Sequence, residues 1–243
     1  MVELFGKKFF YRGDLRLLDR RKVSIVGTRR PLAYSKQMTH SLASGFARLG
    51  WAVASGGAMG IDAVAHRGAG AANTILVLPC GIDHLYPKVN AKLIEEVARK
   101  GLVLSQFEKD FRATQWSFVV RNESVVRLGE FLIVSEAAPG SGSMRSVEYA
   151  KKYGKKIYVL PHRIGESEGT NQLAKRQEAS LIWDVEEFLK EFGHEAFDQE
   201  IRYLQSAPFY EDALEYLGDR LVELELTGAV EIVGGRVYIK EVG

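Results

Sequence analysis

Two arginines and a threonine follow the first strongly apolar segment of the chain. Residues 23–26 contain three β-branched aliphatic side chains, a composition typical of a strand that is buried on both faces. Gly27 permits a tight turn, and Thr28, Arg29 and Arg30 then present a hydroxyl and two guanidinium groups. Guanidinium groups bind phosphate oxygens through paired hydrogen bonds, so this turn is a candidate anion-binding site.

Two glycine-rich segments could direct backbone N–H groups at the same anion. Ser55, Gly56 and Gly57 open the first segment, and the sequence Pro-Gly-Ser-Gly-Ser at residues 139–143 forms the second. Each follows an apolar run and precedes a helical pattern, and the N-terminal end of a helix favours negative charge. The first segment lacks the spacing of a Walker A loop or of a dinucleotide site, and either segment could be a packing turn or a helix N-cap. Their joint occurrence favours an anion site.

An aromatic ring, a guanidinium and an amide lie close together further along the chain. Phe118, Arg121 and Asn122 fall within about one turn of a predicted helix. A ring can stack on a base, a guanidinium can bind a phosphate, and an amide can bond to a base edge. The combination is typical of a nucleic-acid surface, although a core phenylalanine beside a surface arginine would give the same pattern.

Metal and catalytic chemistry have less support in the sequence. The five histidines are scattered without ligand spacing, and no nucleophile-elbow motif is present, so we predict no metal site and no catalytic residue. His66 follows Asp62 by four residues, which predicts a hydrogen bond on a helix surface. Glu148 lies one turn beyond the second glycine-rich segment, where a salt bridge to Lys151 or Lys152 is favoured over a catalytic carboxylate.

The remaining residues predict the elements that position these groups. Apolar runs predict strands at residues 23–26, 51–54, 74–78, 102–105, 131–134 and 157–160, preceded by an edge strand and turn within residues 8–18. Helical spacing separates them, at 35–49, 61–70, 87–100, 118–128 and 143–153, and a loop is predicted from residue 161 to 171. This alternation predicts a Rossmann-like, doubly wound and mostly parallel α/β sheet, whose ligands bind at the carboxyl ends of the strands.

The last fifty residues differ from the rest in charge. Residues 194–243 carry four Lys/Arg and eleven Asp/Glu, a net charge of −7, which leaves +9 on residues 1–193. Helical stretches at 201–205, 210–217 and 220–226, with a hairpin through Gly234 and Gly235, predict a winged-helix-like domain. We expect the basic domain to contact a polyanion. Winged helices often bind duplex DNA, but the acidic helices of this one favour contact with protein.

Cellular location is constrained by two absences in the sequence. Cys80 is the only cysteine, so an internal disulfide is impossible and a reducing compartment fits. No apolar run approaches 18 residues, and the N-terminus does not have the pattern of a signal peptide. We therefore expect a cytoplasmic protein with no membrane partner.

Several of these motifs together resemble the DprA/Smf family, in the family's order, over about residues 8–190. They occupy residues 25–30, 55–62, 65–66, 86–90, 118–122, 141–143 and 169–171. Four positions depart from the family pattern. Val119 stands where a proline is common, and Glu123 replaces a basic residue that would contact phosphate. Gln115 and Trp116 stand where positive charge is sometimes found, and Trp116 could add a stacking surface instead.

The resemblance implies an extended Rossmann-like domain at residues 1–193 and a small winged-helix-like domain at 194–243. It implies a cytoplasmic homodimer that binds single-stranded DNA, protects incoming strands during natural transformation and helps to load the RecA recombinase for homologous recombination. It implies no enzymatic activity and no cofactor. The residues that it assigns to DNA binding are Gly27, Thr28, Arg29, Arg30, Ser55, Gly56, Gly57, Phe118, Arg121, Asn122 and, less directly, Lys155.

An enzymatic alternative comes from a different class of Rossmann-like proteins. Nucleoside-monophosphate phosphoribohydrolases of the lysine-decarboxylase-like group also use a glycine-rich turn followed by a glutamate. Residues 139–143 with Glu148 resemble that pattern loosely, with the carboxylate displaced by one residue. The turn at Arg29 and the group at Phe118, Arg121 and Asn122 favour the DNA-binding interpretation.

Overall fold

A computed structural model describes residues 1–193, 203–226 and 229–240. The chain divides into two compact units, Met1–Glu191 and Phe192–Gly243.

The first unit is built on a sheet of nine strands. They are β1 (Val2–Leu4), β2 (Lys7–Gly13), β3 (Lys22–Val26), β4 (Ala52–Gly56), β5 (Thr74–Val77), β6 (Leu102–Ser105), β7 (Leu132–Val134), β8 (Ile157–Val159) and β9 (Ser180–Leu181). Their order is β1-β2-β6-β5-β4-β3-β7-β8-β9. The pairs from β6 to β9 are parallel, whereas β1 and β2 add an antiparallel edge. The predicted doubly wound α/β fold is confirmed.

Helices cover both faces of this sheet. They are α1 (Ala33–Arg48), α2 (Ile61–Ala69), α3 (Ala91–Lys100), α4 (Gln115–Leu128), α5 (Gly142–Lys152), α6 (Glu168–Lys175) and α7 (Val185–Lys190). Side chains alternate along β5, as a pleated strand requires. Ile75 and Val77 share an apolar cluster with Val125 of α4, whereas Leu76 packs in a second cluster with Ile94 of α3. The sheet is therefore the buried middle layer of three.

The strand order reverses between β3 and β7. From β3 the chain adds β4, β5 and β6 on one side, and it then returns to place β7, β8 and β9 on the other. Ser24 pairs with Leu132 and Val26 with Val134, so the carboxyl ends of β3 and β7 lie side by side. The connections that leave these two ends diverge, and in open α/β sheets such a switch point forms the ligand crevice.

Several element boundaries differ from those predicted. Strand β4 continues to Gly56 instead of stopping at residue 54, so Ser55 belongs to the sheet and not to a loop. Helix α4 begins at Gln115, three residues early, because Thr114 and Ser117 form a capping box there. Helix α6 lies partly within the segment that was predicted as a loop, and it begins at Glu168.

The second unit contains the predicted helices and hairpin. They are α8 (Tyr210–Leu217), α9 (Asp219–Leu226), β10 (Val230–Val233) and β11 (Arg236–Ile239), the last two antiparallel. Gly234 and Gly235 have φ values of +59° and +78°, the left-handed conformation that a two-residue hairpin turn requires. Residues 203–205 are helical, and Ile201, the predicted start of that helix, lies outside the described residues.

No helix in the described ranges combines the length and apolarity that crossing a bilayer would need.

Candidate nucleic-acid interface

The turn after β3 is held from two sides. The Thr28 N–H donates to the Glu136 carbonyl beyond β7 at 2.8 Å, and the Thr28 carbonyl accepts from the Ile61 N–H of α2 at 3.1 Å. A Cβ on Gly27 would lie 2.6 Å from the Ile61 side chain, so the close approach of α2 requires glycine. These contacts fix the backbone and leave the next two side chains, Arg29 and Arg30, exposed. In the described residues neither guanidinium forms an ion pair.

A cleft of about 320 Å³ opens at this turn, and we call it the switch-point cleft. Residues from β3, α2, α4 and α5 contribute to its wall. They include Gly27, Thr28, Arg29, Asp62, Phe118, Arg121, Asn122, Ser141, Gly142 and Ser143. The structure thus brings together the turn, the α4 group and the second glycine-rich segment. In the sequence these three groups are spread over residues 27–143.

Phe118 lies at the junction of the switch-point cleft with a smaller pocket lined by Met59, Tyr86 and Pro87. The Arg29 Cζ atom is 5.3 Å from the centre of the Phe118 ring, within cation–π range. The Tyr86 ring packs edge-on against Phe118 at 5.8 Å between centroids. An aromatic ring flanked by a free guanidinium is a platform on which a base can stack while its phosphate is bound.

Arg121 is a buried member of the cleft wall. Its Nη1 atom lies 3.2 Å from Asp62 Oδ2, and the two side chains are only 5% and 6% exposed. A Cβ on Gly56 would overlap Arg121 Nη1, so the guanidinium rests directly on the strand backbone. Because Asp62 already neutralises it, Arg121 is not the unpaired phosphate ligand that its sequence context suggested.

Ser55 and His66 also differ from their predicted settings. Ser55 is buried in β4, and its Oγ donates to the Ile25 carbonyl at 2.6 Å, so its side chain joins two strands and cannot reach a ligand. His66 is fully buried, with Nε2 2.7 Å from the Gly56 carbonyl oxygen. The predicted bond from His66 to Asp62 on a helix surface is therefore wrong. Burial lowers the pKa of His66 to about 4, against a smaller opposing effect of the Gly56 carbonyl.

The second glycine-rich segment supplies a helix N-terminus to the cleft. Gly142 begins α5, and its carbonyl accepts a hydrogen bond from Asn122 Nδ2 at 3.2 Å. That bond fixes α4 against α5 and uses one of the two N–H donors of the Asn122 amide. Ser141 Oγ is buried without a hydrogen-bond partner among the described residues. The first N–H groups of α5 and this hydroxyl are donors suited to an anion.

Lys155 does not reach this interface. It precedes β8 and so lies at the amino edge of the sheet, opposite the carboxyl ends that form the cleft. Its Nζ donates to the Arg127 carbonyl at 2.9 Å and to the Gly129 carbonyl, beyond the end of α4. Burial, with a smaller contribution from Arg127, lowers the pKa of Lys155 to about 8. The structure gives this lysine a packing role in place of the predicted DNA contact.

Two carboxylates have surface partners. Glu148 pairs with Arg145 at 2.9 Å, so a salt bridge forms as favoured, although not with either predicted lysine. Glu123 accepts a short hydrogen bond from Tyr153 and lies 3.4 Å from Lys7. These contacts join α4, α5 and β2.

Sequence reasoning from single residues missed Asp62 and Tyr86 as parts of the site. Asp62 belongs to the motif at residues 55–62, but the only partner predicted for its side chain was His66, because its true partner lies 59 residues away on another helix. Tyr86 carried a signal, since it belongs to the motif at residues 86–90, but nothing in that spacing indicates contact with Phe118. No cluster of three potential metal ligands occurs in residues 1–193, 203–226 or 229–240.

The fold and this cleft define a Rossmann-like α/β protein with a candidate polyanion-binding site at the switch point of its sheet. Residues 5–193 match the family model of DNA recombination-mediator protein A, and the chain belongs to that family. The resemblance to the DprA/Smf proteins is thereby confirmed, and the phosphoribohydrolase alternative is not favoured.

Relatives with known names agree with this assignment. The chain is 33% identical over 186 residues to DNA processing protein DprA of Bacillus subtilis, and the alignment covers 75% of this chain and 63% of that protein. Identity to Protein Smf of Synechocystis is 34% over 142 residues, which cover 58% of this chain and 36% of the relative. The chain thus spans about a third to two thirds of the length of these relatives.

Two solved structures share the fold. DNA processing protein A from Helicobacter pylori, the subject of a study of its single-stranded DNA binding mode, is 44% identical with a TM-score of 0.75, over 76% of this chain and 86% of that one. The X-ray structure of DprA from Streptococcus pneumoniae is 32% identical with a TM-score of 0.70, over 76% and 66% of the two chains.

Proposed function

We propose that the switch-point cleft binds single-stranded DNA. The observation that carries this proposal is the Phe118 ring, which contacts both the exposed ring of Tyr86 and the Arg29 guanidinium, a group that forms no ion pair in the described residues. A base can stack there while its phosphate meets Arg29. The H. pylori relative, whose single-stranded DNA binding mode has been studied, supports the same ligand class.

The shape of the cleft favours a single strand over a duplex. A volume of about 320 Å³ suits one base with its sugar and phosphate. In a duplex the bases are stacked inside the helix, so their faces cannot reach Phe118, whereas an unpaired strand can turn a base outward. Binding is expected to tolerate any sequence, since every base has a face that can stack.

Phosphate binding falls to the arginines and to a helix end. Arg29, Arg30 and the N-terminus of α5 lie along one edge of the sheet, and the first unit carries the positive charge of the chain. Neutralisation of about three to five phosphates predicts a slope of about −2 to −4 for log affinity against log salt.

At the level of the cell, the proposal is a role in natural transformation. The protein would protect incoming single strands and help to load the RecA recombinase for homologous recombination, as a cytoplasmic homodimer without enzymatic activity or cofactor. Membership of the recombination-mediator family supports this role. The acidic second unit, with its net charge of −7 from residue 194 onward, suits contacts with protein better than contacts with DNA.

Anisotropy titrations with labelled single-stranded and duplex oligonucleotides at two salt concentrations test the proposal. Arg29→Ala should weaken single-strand binding for every sequence alike and make the salt slope shallower by about 0.7. Arg176→Ala is the matched control, because this exposed arginine directly follows α6 on the way to the edge strand β9 and does not line the cleft. Equal affinity for duplex and single strand, or equal effects of the two variants, would contradict the assignment.

A further inference from the structure

A second cleft lies at the same edge of the sheet, on the other side of the turn after β3. Its volume is about 550 Å³, and we call it the Tyr34 cleft. Its wall combines apolar, aromatic and charged side chains. They are Leu32, Tyr34, Pro161, His162, Arg163 and Glu166. None of these residues belongs to the switch-point cleft.

The aromatic part of this wall is fixed and accessible. The Tyr34 ring packs edge-on against the His162 ring at 5.5 Å between centroids and remains 39% exposed in the first turn of α1. His162 is held in place because its Nε2 lies 2.9 Å from the Ser135 carbonyl at the end of β7, a contact in which the ring N–H donates. Because the Tyr34 ring packs on this fixed histidine, it can stack on a base with little loss of conformational entropy.

The charged part of the wall is a loop that another motif fixes. The Asn171 Nδ2 group donates to the carbonyls of Arg163 and Glu166, at 3.2 and 2.9 Å, and the Glu166 N–H closes a turn onto the Arg163 carbonyl at 3.0 Å. Asn171 belongs to the motif at residues 169–171, which contributes nothing to the switch-point cleft. Arg163 is exposed and forms no ion pair in the part of the chain that the structure describes.

The segment from residue 28 to residue 32 separates the two clefts. Thr28 lines the first and Leu32 the second, so their Cα atoms are at most about 14 Å apart. Glu136 fixes both residues, since its carbonyl accepts from the Thr28 N–H and its carboxylate accepts from the Leu32 N–H at 2.9 Å. Arg30 lies between Thr28 and Leu32 along the chain, is exposed, and forms no ion pair among the described residues. A strand stacked at 3.4 Å per nucleotide crosses the gap in about four nucleotides.

We propose that the Tyr34 cleft is a second nucleotide subsite for the same single strand. Tyr34 would stack a base, Arg163 would bind a phosphate, and Glu166 would accept from the amino groups of a base edge. This inference rests on the proposed function, because the strand enters from the switch-point cleft. The two guanidiniums at and beside the cleft, Arg30 and Arg163, favour a nucleic-acid strand over a peptide.

The test compares a dinucleotide with a single strand of about 12 nucleotides, because at about 3.4 Å per nucleotide only the longer strand can fill both clefts. Titrations would use the full chain as wild type, Tyr34→Ala, Tyr34→Phe and Arg163→Ala, with Arg176→Ala as the charge control. For the long strand, Tyr34→Ala and Arg163→Ala should each raise Kd about 5- to 20-fold, whereas Tyr34→Phe and Arg176→Ala should change it less than about twofold. For the short strand, all variants should match wild type.

Unchanged long-strand affinity in Tyr34→Ala would overturn the subsite and leave the cleft to a peptide partner. Equal losses for short and long strands would also overturn it, since Tyr34 would then act through the first cleft. Failure of the proposed function gives a different result, namely no loss of affinity in Arg29→Ala or no binding of either strand by wild type. Circular dichroism on each variant confirms folding, which alanine in the first turn of α1 should not impair.

Discussion

Arg121 and Asp62 form an ion pair inside the wall of the switch-point cleft, with 3.2 Å between Nη1 and Oδ2. The pair joins α4 to α2, and the Arg121 Cζ atom lies 5.9 Å from the centre of the Phe118 ring. The arginine is thus a positioning residue that supports the stacking platform, and Arg29 is the cation that a strand can reach.

Removal of one partner of the buried pair should be costly. Asp62→Ala leaves the Arg121 guanidinium buried without its counter-charge, which typically destabilises a protein by about 3–5 kcal/mol. Urea unfolding measures the loss, and Asp83→Ala, at an exposed acid, serves as the control. A loss below about 1 kcal/mol in Asp62→Ala would show that the pair does not hold the wall.

The two neighbouring glycines of the first glycine-rich segment should respond differently to alanine. A Cβ at Gly56 would overlap Arg121 Nη1 and lie 2.7 Å from Asp62 Oδ2, whereas at Gly57 it would meet a Leu76 methyl at 3.3 Å. We expect Gly56→Ala to cost about 1–3 kcal/mol of unfolding free energy and Gly57→Ala less than about 1. Thermal or urea unfolding of the two variants measures these losses. Equal losses would argue against close packing of Arg121 on the Gly56 backbone.

His66 should make stability depend on pH. Its folded pKa of about 4 lies below the ordinary value of 6.5, so the unfolded chain binds more protons between these values. Stability is therefore complete above about pH 6.5 and falls as the pH drops toward 4, by up to about 3 kcal/mol from this group. As the pH drops from 7 to 4, the unfolding free energy should fall more steeply in wild type than in His66→Gln. The exposed His40→Gln is the control, and parallel curves for wild type and His66→Gln would refute the assignment.

The Phe118 ring should contribute to affinity through stacking. Loss of a base–aromatic contact costs about 1–3 kcal/mol, so Phe118→Ala should raise the Kd for single strands about 5- to 150-fold. Phe118→Trp retains a ring and should stay close to wild type. Anisotropy titrations measure both, and a Phe118→Ala variant that binds as tightly as wild type would exclude stacking at this position.

Much of the fold followed from the sequence, for physical reasons that particular elements show. Residues 23–26 and 102–105 are short apolar runs that only a strand covered on both faces can bury, and both are strands. The meeting of Arg29 with residues 141–143 followed from the parallel sheet, whose carboxyl ends share one edge. The chemistry of that edge was thus foreseen from local patterns and topology together.

Side-chain contacts between different helices and loops could not be predicted from those local patterns. The partner of Asp62 is set by the packing of α4 against α2, and spacing within α2 suggested His66 instead. The Tyr34 cleft unites residues near 33 and near 163 that share no motif. Lys155 is a different case, because a residue that precedes a strand must lie at the amino edge, and the predicted strand at 157–160 already implied this.

Photo-cross-linking of a 5-iodouracil-substituted single strand, followed by peptide mapping, tests the central claim most directly. If the strand occupies the switch-point cleft, adducts should map to Tyr86 or Phe118, and they should decline in Arg29→Ala but persist in Arg176→Ala. Adducts confined to residues 203–240, or to the amino edge around Lys155, would contradict the account and place the DNA elsewhere.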